Sequence, residues 1–231
     1  MGGWLGPEAT GALLLSLRVA TVATLAGLPL AILVALALAR GRFPGRGLMS
    51  VLVYLPLVLP PVVTGYLLLR TFGLRAPVGS FLDDCCGIVF AFRWTGAALA
   101  AGVMAFPLLV RPIQLSIEAV SRVQEETAAD LGARPVLVLL TITLPLSLPG
   151  IVAGAVLGWA RALGEFGATI TFVSAIPGET MTLPSAIHGF LQVPGGDGEA
   201  LRLVLIAVAV SAVALVLSEA LARAVARRVR G

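Results

Sequence analysis

The sequence predicts an all-α membrane protein with about five spanning helices. Hydrophobic residues make up 58% of the 231 residues, charged residues make up only 12%, and the mean hydropathy is +1.02. A helix needs about 20 apolar residues to cross a hydrocarbon core about 30 Å thick. Apolar stretches of that length recur along the chain, and no polar stretch is long enough to build a separate soluble core. We therefore expect one transmembrane domain over residues 1–231.

Five apolar stretches are predicted to span the membrane. Their approximate bounds are 19–39, 48–69, 94–110, 138–160 and 203–221. The N-terminus lacks the basic segment that opens a signal peptide, because Arg18 comes only just before the first apolar stretch. We therefore expect the first span to be retained.

The arginine residues predict the orientation of these spans. All 16 basic residues are arginines, and ten of them lie between spans one and two, between spans three and four, or after span five. Because basic residues concentrate on the cytoplasmic side, we expect the N-terminus outside, the C-terminus in the cytoplasm and a cytoplasmic loop at 118–136. The arginine-rich C-terminal tail also suits contact with anionic membrane lipid, so the net charge of +4 requires no nucleic acid.

Residue types that are missing or rare exclude several chemistries. A chain without lysine has neither the lysine of an ATP-binding P-loop nor a lysine for Schiff-base catalysis. The single histidine, His188, cannot build a multi-histidine metal site. Cys85 and Cys86 are adjacent, and two ordinary thiols in a connecting loop are favoured over a vicinal disulfide or a metal role. We expect no metal site and no cofactor bound by this chain.

The stretch 125–151 has the pattern of a structured loop. Glu125 and Glu126 suit the first turn of a short helix, where they meet the positive end of the helix dipole. Gly132 allows a sharp turn, and Pro135 blocks simple continuation of the same helix. The residues therefore predict a short helix, a turn and a return into the membrane. From the residues alone, a plain amphipathic connector on the bilayer is an equal alternative.

The spacing of this stretch is similar to the EAA loop of ABC-type importer permeases. That loop has a Glu-Ala-Ala start, a glycine six residues after the glutamate and Ile-x-Leu-Pro further on. The matching positions are Glu126, Thr127, Ala128, Gly132, Ile142, Leu144 and Pro145. Thr127 stands where alanine is usual. The resemblance implies a type I ABC importer transmembrane domain, in which these residues form a coupling helix that fits a cleft in an ATPase subunit.

Four further segments look like those of the molybdate importer permeases. They are LPLVLPPVVTGYLLL at 55–69, FPLLVRPIQL at 106–115, RALGEFGATITFVSAIPGET at 161–180 and LPSAIHGFLQVPGG at 183–196. The resemblance implies a non-enzymatic permease of the cytoplasmic membrane that translocates molybdate by alternating access. It also implies a second copy of the chain, two copies of an ATPase subunit that uses ATP and Mg, and an extracytoplasmic molybdate-binding protein.

The sequence leaves alternatives to molybdate import, both in the cargo and in the class of protein. Tungstate, or sulfate and thiosulfate, are alternative cargoes, and the residues do not separate molybdate from tungstate. A passive channel or a structural membrane protein is the alternative from another class. It is disfavoured because neither would need a shaped loop at 118–136.

Two regions are candidates for the pathway and its gate. Three prolines in the second span predict a bent helix that lines the pathway, although a bend that only improves packing would leave the same pattern. After the fourth span, Arg161 and Glu165 are one helical turn apart and can pair, for about 0.2–0.5 kcal/mol if exposed. The alternative for this second region is an ordinary extracellular loop. The candidate gate residues are Pro60, Pro61, Arg161, Glu165, Phe166, Thr169 and Thr171.

Glycines at four-residue spacing predict close helix packing in the fourth span. Gly150, Gly154 and Gly158 share one helix face, where small residues let two helix backbones approach. Packing within the bundle is favoured over contact with a second copy of the chain.

Overall fold

The computed structural model is a bundle of α-helices. It describes the backbone of residues 6–230 and the side chains of residues 6–216 and 220, so the side chains of the arginine-rich tail lie outside the described residues. In chain order the helices are α1 (Pro7–Arg40), α2 (Arg46–Val58), α3 (Pro61–Phe72), α4 (Pro77–Cys86), α5 (Trp94–Ala119), α6 (Arg122–Asp130), α7 (Pro135–Val138), α8 (Leu144–Leu163), α9 (Gly167–Val173), α10 (Leu183–Leu191) and α11 (Asp197–Arg230). A π-helical segment, Leu139–Thr143, joins α7 to α8. The predicted all-α class is confirmed.

Four helical stretches are long and apolar enough to cross a membrane on their own. Among the described residues these are Pro7–Arg40, Trp94–Ala119, Pro135–Leu163 and Asp197–Val216. The helices α2 and α3 pass the same test only as a pair, and that pair is bent by 116°. The described part of the chain therefore has four candidate spans, or five if the bent pair counts as one, which agrees with the prediction of about five.

The bend between α2 and α3 follows from two consecutive prolines. Leu59 donates the last backbone hydrogen bond of α2, to Leu55, and its backbone is already extended at φ −69° and ψ 141°. Pro60 and Pro61 have no N–H to continue the ladder, and a proline disfavours helical geometry in the residue before it. Pro61 instead begins α3, since the first helical position needs no N–H donor.

The centre of the bundle is α1, α5 and α8. On α1, Ala20, Ala31 and Ala35 are fully buried, whereas Leu25 and Leu33 are more than 60% exposed. Small residues inside and large apolar residues outside are typical of helices that pack in lipid, where leucine gains nothing by turning inward. The side-chain pattern therefore supports placement in a membrane.

The glycine face of α8 lies against α5. A Cβ atom added at Gly154 would lie 2.6 Å from the backbone oxygen of Leu109, and one added at Gly158 would lie 2.5 Å from a methyl carbon of Leu109. Real Cβ atoms almost never approach a backbone oxygen so closely, so the contact at Gly154 requires glycine, whereas a Cβ at Gly158 would force the Leu109 side chain to shift. The structure thus places this face against another helix of the same chain.

The bundle has two distinct ends, which we name the α6 end and the α9 end. At the α6 end, Arg40 at the end of α1 contacts Val120 just after α5. At the α9 end, the guanidinium carbon of Arg18 lies 3.7 Å from the ring centroid of Trp94, the first residue of α5. The 20 residues of α8 connect the two ends and span about 30 Å, roughly one hydrocarbon core.

Candidate functional site

The residues predicted to contact an ATPase begin on α6, a short helix at the surface. Glu126 and Thr127 are exposed and Ala128 is half-buried. The hydroxyl of Thr127 donates to the backbone oxygen of Val123 at 2.7 Å, so threonine fits the helix at the position where alanine is usual. The described side chains leave this helix open on its outer face.

Gly132 makes the turn that ends this element. Its φ of +88° lies in the left-handed region, which glycine adopts with little strain. The N–H of Ala133 then donates to Ala128 at 3.0 Å, and the N–H of Gly132 donates to Ala129 at 2.9 Å. These bonds satisfy carbonyls at the end of α6 and fix the direction in which the chain leaves it.

Two apolar side chains project from the same element. Leu131 is 85% exposed and Val123 is 67% exposed, next to the charged and polar residues of α6. Exposed apolar residues grouped on a polar surface mark protein contact sites. Neither residue stands out in the sequence, because a single leucine or valine carries no periodic signal in so short a helix.

The second half of the predicted motif lies on the next element. Ile142 belongs to the π-helical segment, and Leu144 and Pro145 begin α8. Ile142 and Leu144 are half-buried and Pro145 is exposed. The motif therefore covers both the surface helix and the start of the span that follows it.

Arg40, Glu125 and Thr143 form a polar cluster that fastens α6 to two spanning elements. The Nε atom of Arg40 lies 3.1 Å from Oε2 of Glu125, and another guanidinium nitrogen donates to Oε1 at 3.2 Å. Thr143 in the π-helical segment donates its hydroxyl to Oε1 of Glu125 at 2.6 Å. Both charged side chains are only 18% exposed. Glu125 is thus the anchored glutamate, whereas its neighbour Glu126 faces solvent.

This cluster is not evident from the sequence. In the sequence, Arg40 indicates only the topology and Glu125 only the first turn of a helix. The two side chains are 85 positions apart, and their contact depends on the close approach of α1, α5 and α6. A π-helical segment is often found near functional positions, but it leaves no reliable mark in the sequence.

The predicted gate residues meet at the contact between α3 and α9. A Cβ atom added at Gly167 would lie 2.7 Å from the Cβ of Pro61, and one added at Gly65 would lie 2.6 Å from the backbone oxygen of Ala168. The bend after Leu59 brings Pro61 to this contact. The structure thus places Pro61 and the start of α9 side by side, with no space between them for a passing anion, while Pro60 is exposed.

The Glu165 side chain is buried beside this contact, and its carboxylate is both ion-paired and hydrogen-bonded. Its side chain is 1% exposed, pairs with Arg161 at 2.6 Å and accepts a hydrogen bond from the N–H of Ala168 at 2.8 Å. Hydrogen bonds to charged groups contribute about 1.5–3 kcal/mol when they are shielded from water. The pair is therefore not the exposed pair expected from the sequence, because the carboxylate is buried and only Arg161 reaches solvent.

The remaining gate candidates differ in what they contact. The ring of Phe166 lies 5.0 Å from that of His188 on α10, and the hydroxyl of Thr171 donates to Gly167 at 2.8 Å. Thr169 is 2% exposed, and its hydroxyl has no hydrogen-bond partner among the described residues; the same is true of Thr64 on α3. Both hydroxyls remain available to a ligand if α3 and α9 separate.

The two cysteines lie at the end of α4, outside the predicted coupling and gate segments. Cys85 and Cys86 are exposed free thiols whose sulfur atoms are 2.8 Å apart. The hydrogen bond to Cys86 raises the pKa of the Cys85 thiol, because it stabilises the protonated form. Among the described residues, no three His, Cys, Asp or Glu side chains are grouped to hold a metal ion.

The sequence matches a known family over most of its length. The model for the binding-protein-dependent transport system inner membrane component matches residues 27–231. The chain belongs to this family. The molybdenum transport system permease protein ModB of Escherichia coli (strain K12) is 55% identical over 212 residues, 92% of this chain and 93% of that protein. ModB of Haemophilus influenzae is 53% identical over 209 residues, covering 90% and 91% of the two chains.

Solved structures of ABC transporters share the fold. A bacterial transporter involved in import of the acidic polysaccharide alginate matches with a TM-score of 0.76 at 19% identity, over 95% of this chain and 80% of that one. An amino acid ABC transporter, solved with histidines, matches with a TM-score of 0.68 at 18% identity, over 94% of both chains. The chain is therefore a multi-pass membrane permease with the transmembrane fold of type I ABC importers. It is a transport subunit and not an enzyme.

Proposed function

We propose that this chain is the permease subunit of an ATP-driven importer that carries molybdate across the cytoplasmic membrane. The supporting observation is the 55% identity, over 92% of the chain, with a permease named for molybdenum transport. The likeness extends over 212 residues, so it is not confined to a single segment of the chain.

An energy source is needed because molybdate is a dianion. Moving one elementary charge against 100 mV requires about 2.3 kcal/mol, so a dianion entering a negative-inside cell faces about twice that amount. A passive pore would not accumulate it. ATP and Mg are used by a separate ATPase subunit in this proposal, since this chain lacks the lysine of a P-loop.

Coupling to the ATPase is assigned to the α6 end. The coupling residues are Glu126, Thr127, Ala128, Gly132, Ile142, Leu144 and Pro145, to which the exposed Val123 and Leu131 are added. ATP binding by two ATPase subunits moves α6 of each permease copy. The contacts of Glu125 with Arg40 and Thr143 pass that motion to α1 and to α8. The loop that holds α6 is on the cytoplasmic side in this scheme.

The outer gate is assigned to the α3–α9 contact. The contact is closed in this structure, and opening it separates Pro61 from Gly167 and uncovers the hydroxyls of Thr64 and Thr169. Alternating access then consists of opening this contact while the α6 end closes, and the reverse. Two copies of the chain form the pathway between them.

Recognition of the anion is assigned to an extracytoplasmic binding protein. The chain belongs to a family defined by dependence on such proteins. The alginate transporter with the same fold was crystallised with an alginate-bound periplasmic protein. By analogy, a molybdate-binding protein docks at the α9 end and releases the anion above the α3–α9 contact.

The proposal is tested by uptake of labelled molybdate in cells that lack this chain. Restoring the chain should restore uptake at low molybdate concentration, and Leu131→Asp should abolish it by placing a charge on the proposed docking face. Leu33→Asn, in the lipid-facing part of α1, provides a comparison for general loss of membrane insertion. The amount of each variant in the membrane is measured in parallel.

Unchanged molybdate uptake in cells without the chain contradicts the proposal that molybdate is the cargo. Normal uptake by Leu131→Asp contradicts the assignment of the docking face, whatever the cargo is. Unlabelled tungstate and sulfate are added as competitors. Strong inhibition by tungstate with none by sulfate is expected, because molybdate and tungstate have the same charge and nearly the same size.

A further inference from the structure

A groove of about 620 Å³ lies between α1, α2 and α5, away from the residues assigned to coupling and gating. Its wall is formed by apolar side chains and small residues, including Leu30, Met49, Leu99 and Phe106. Specific ligand sites in proteins commonly have volumes of about 300–1,000 Å³. The groove is therefore large enough to hold a defined molecule.

The lining makes this groove unsuitable for an oxyanion. Thr95 contributes the only side-chain hydroxyl among the lining residues, and that hydroxyl already donates to the backbone oxygen of Val89 at 3.2 Å. An anion moving into such a wall would lose its hydration without gaining hydrogen bonds. The occupant must be apolar along the length of the groove.

The length of the groove matches one leaflet of a bilayer. Along α5 it extends from Trp94 to Phe106, and the 12 helical steps between these residues rise about 18 Å. Half of the hydrocarbon core is about 15 Å thick. Trp94 stands at the α9 end of the groove, and tryptophan is enriched at the level of lipid head groups.

Two arginines are neighbours of Trp94 at this end of the groove, one in space and one in the sequence. The guanidinium of Arg18 stacks on the ring of Trp94 at 3.7 Å, and Arg93 directly precedes Trp94. Neither arginine forms an ion pair within residues 6–216, the range over which side chains are described. A stacked guanidinium keeps its N–H edges free, and those edges match the geometry of a phosphate.

We propose that the groove binds an acidic phospholipid, with one acyl chain along α5 and the head group against Arg18 and Arg93. The apolar wall accommodates the chain, and the two arginines favour a negatively charged head group over a neutral one. An apolar helix from a second copy would fill the groove but leave both arginines without a counter-charge. This lipid site is independent of the proposed cargo.

Trp94 is a built-in reporter for this site. The variant Trp4→Phe/Trp159→Phe leaves Trp94 as the only tryptophan of the chain. The purified protein is titrated in mixed micelles with phosphatidylglycerol or phosphatidylcholine whose acyl chains carry bromine, which quenches nearby tryptophan. Phosphatidylglycerol is expected to reach half-quenching at a mole fraction lower by about fivefold for each contributing arginine.

Two variants separate the head-group contact from the acyl-chain contact. Arg18→Gln/Arg93→Gln should remove the preference for phosphatidylglycerol, whereas Arg70→Gln/Arg75→Gln, which removes two exposed arginines outside the groove, should keep it. Gly102→Leu should block the groove and abolish quenching at low lipid fractions. A Cβ at Gly102 meets Ala23 at an ordinary 3.7 Å, so the first carbon of the new side chain is accommodated; Gly47→Leu, at an open position of α2, is its control.

The following results would each overturn the proposal. Equal half-quenching fractions for the two lipids exclude the head-group contact. Quenching that Gly102→Leu leaves unchanged places the lipid on the outer surface of the bundle and not in the groove. Protection of Trp94 from both lipids shows that protein, such as a second copy of the chain, covers the groove.

Elution of every variant at the wild-type volume in size-exclusion chromatography controls for folding. Native mass spectrometry of the unsubstituted protein with the two lipids provides a second measurement of lipid preference.

Discussion

Adjacent residues of the same type have different roles at the surface helix. Glu125 is held by Arg40 and Thr143 in a half-buried cluster, and Glu126 is exposed on α6. The spacing of the motif favoured Glu126 as the central glutamate. The structure assigns the fastening of α6 to Glu125, and it leaves the outer face, with Glu126, open to a partner.

The Arg40–Glu125 pair should stabilise the folded protein measurably. Glu125→Gln keeps the shape of the side chain but removes its charge, so Arg40 loses its counter-charge while only 18% exposed. We expect the free energy of unfolding to fall by about 1.5–3 kcal/mol. Denaturant titration of the purified permease in mixed micelles measures this change.

A double-mutant cycle isolates the pair. With Arg40→Gln already present, Glu125→Gln should cost clearly less than it does alone, because residues in contact are not additive. Glu126→Gln is the matched control and should change stability by less than about 0.5 kcal/mol. Equal effects of Glu125→Gln in the two backgrounds would show that the pair contributes nothing.

Sequence patterns predict those features of the fold that are caused by neighbouring residues in the chain. The break after Leu59 follows from Pro60 and Pro61, and the turn at Gly132 follows from the need for a positive φ. The Arg40–Glu125 contact was not predictable, because it depends on how three helices meet in space. The burial of Glu165 was not predictable for the same reason, because it depends on how α9 packs against α3.

At the level of elements, the close approach of α5 and α8 is a feature that glycine makes possible. The glycine spacing on α8 predicted a packing face, but only the structure identifies α5 as the helix it contacts. The contact joins the span that precedes α6 to the span that follows it. A change at this face should therefore alter the frame on which α6 is mounted.

Gly154→Ala should destabilise the bundle. Its Cβ would lie 2.6 Å from the backbone oxygen of Leu109, and a backbone atom cannot swing away as a side chain can. Overpacking of this kind costs about 1–3 kcal/mol. The change is measured as a lower free energy of unfolding in mixed micelles.

The matched control for this change is Gly11→Ala on α1. Nothing lies within 4 Å of a Cβ at that position, so the substitution should stabilise the helix by about 0.5–1 kcal/mol through its better helix propensity. Opposite signs for the two alanines are therefore expected. A stabilising effect of both alanines would mean that α5 and α8 can separate at little cost.

At the level of the whole molecule, two working ends are joined by rigid spans. The α6 end carries an exposed docking helix, and the α9 end carries a closed contact about 30 Å away along α8. A permease driven from one side of the membrane needs this separation. Which end faces the cytoplasm is predicted from the distribution of arginines along the sequence.

Cysteine labelling in right-side-out membrane vesicles tests this orientation with residues that the chain already provides. Cys85 and Cys86 are exposed in the segment predicted to be outside, so a membrane-impermeant maleimide should label them in sealed vesicles. Labelling near pH 8.5 offsets the raised pKa of Cys85, since the thiolate is the reactive form. The Cys85→Ser/Cys86→Ser variant supplies the unlabelled background.

In that cysteine-free background, Leu131→Cys places a thiol at an exposed position of the predicted cytoplasmic loop, where the native side chain is 85% exposed. It should react only after the vesicles are permeabilised. Labelling of Leu131→Cys in sealed vesicles, together with no labelling of Cys85 and Cys86 in the unsubstituted chain, would show the opposite orientation. The surface helix would then face away from the cytoplasm, where ATP is available, and α6 could not be the element that an ATPase moves. The two labelling patterns together therefore test the orientation and the coupling role of α6 on one chain.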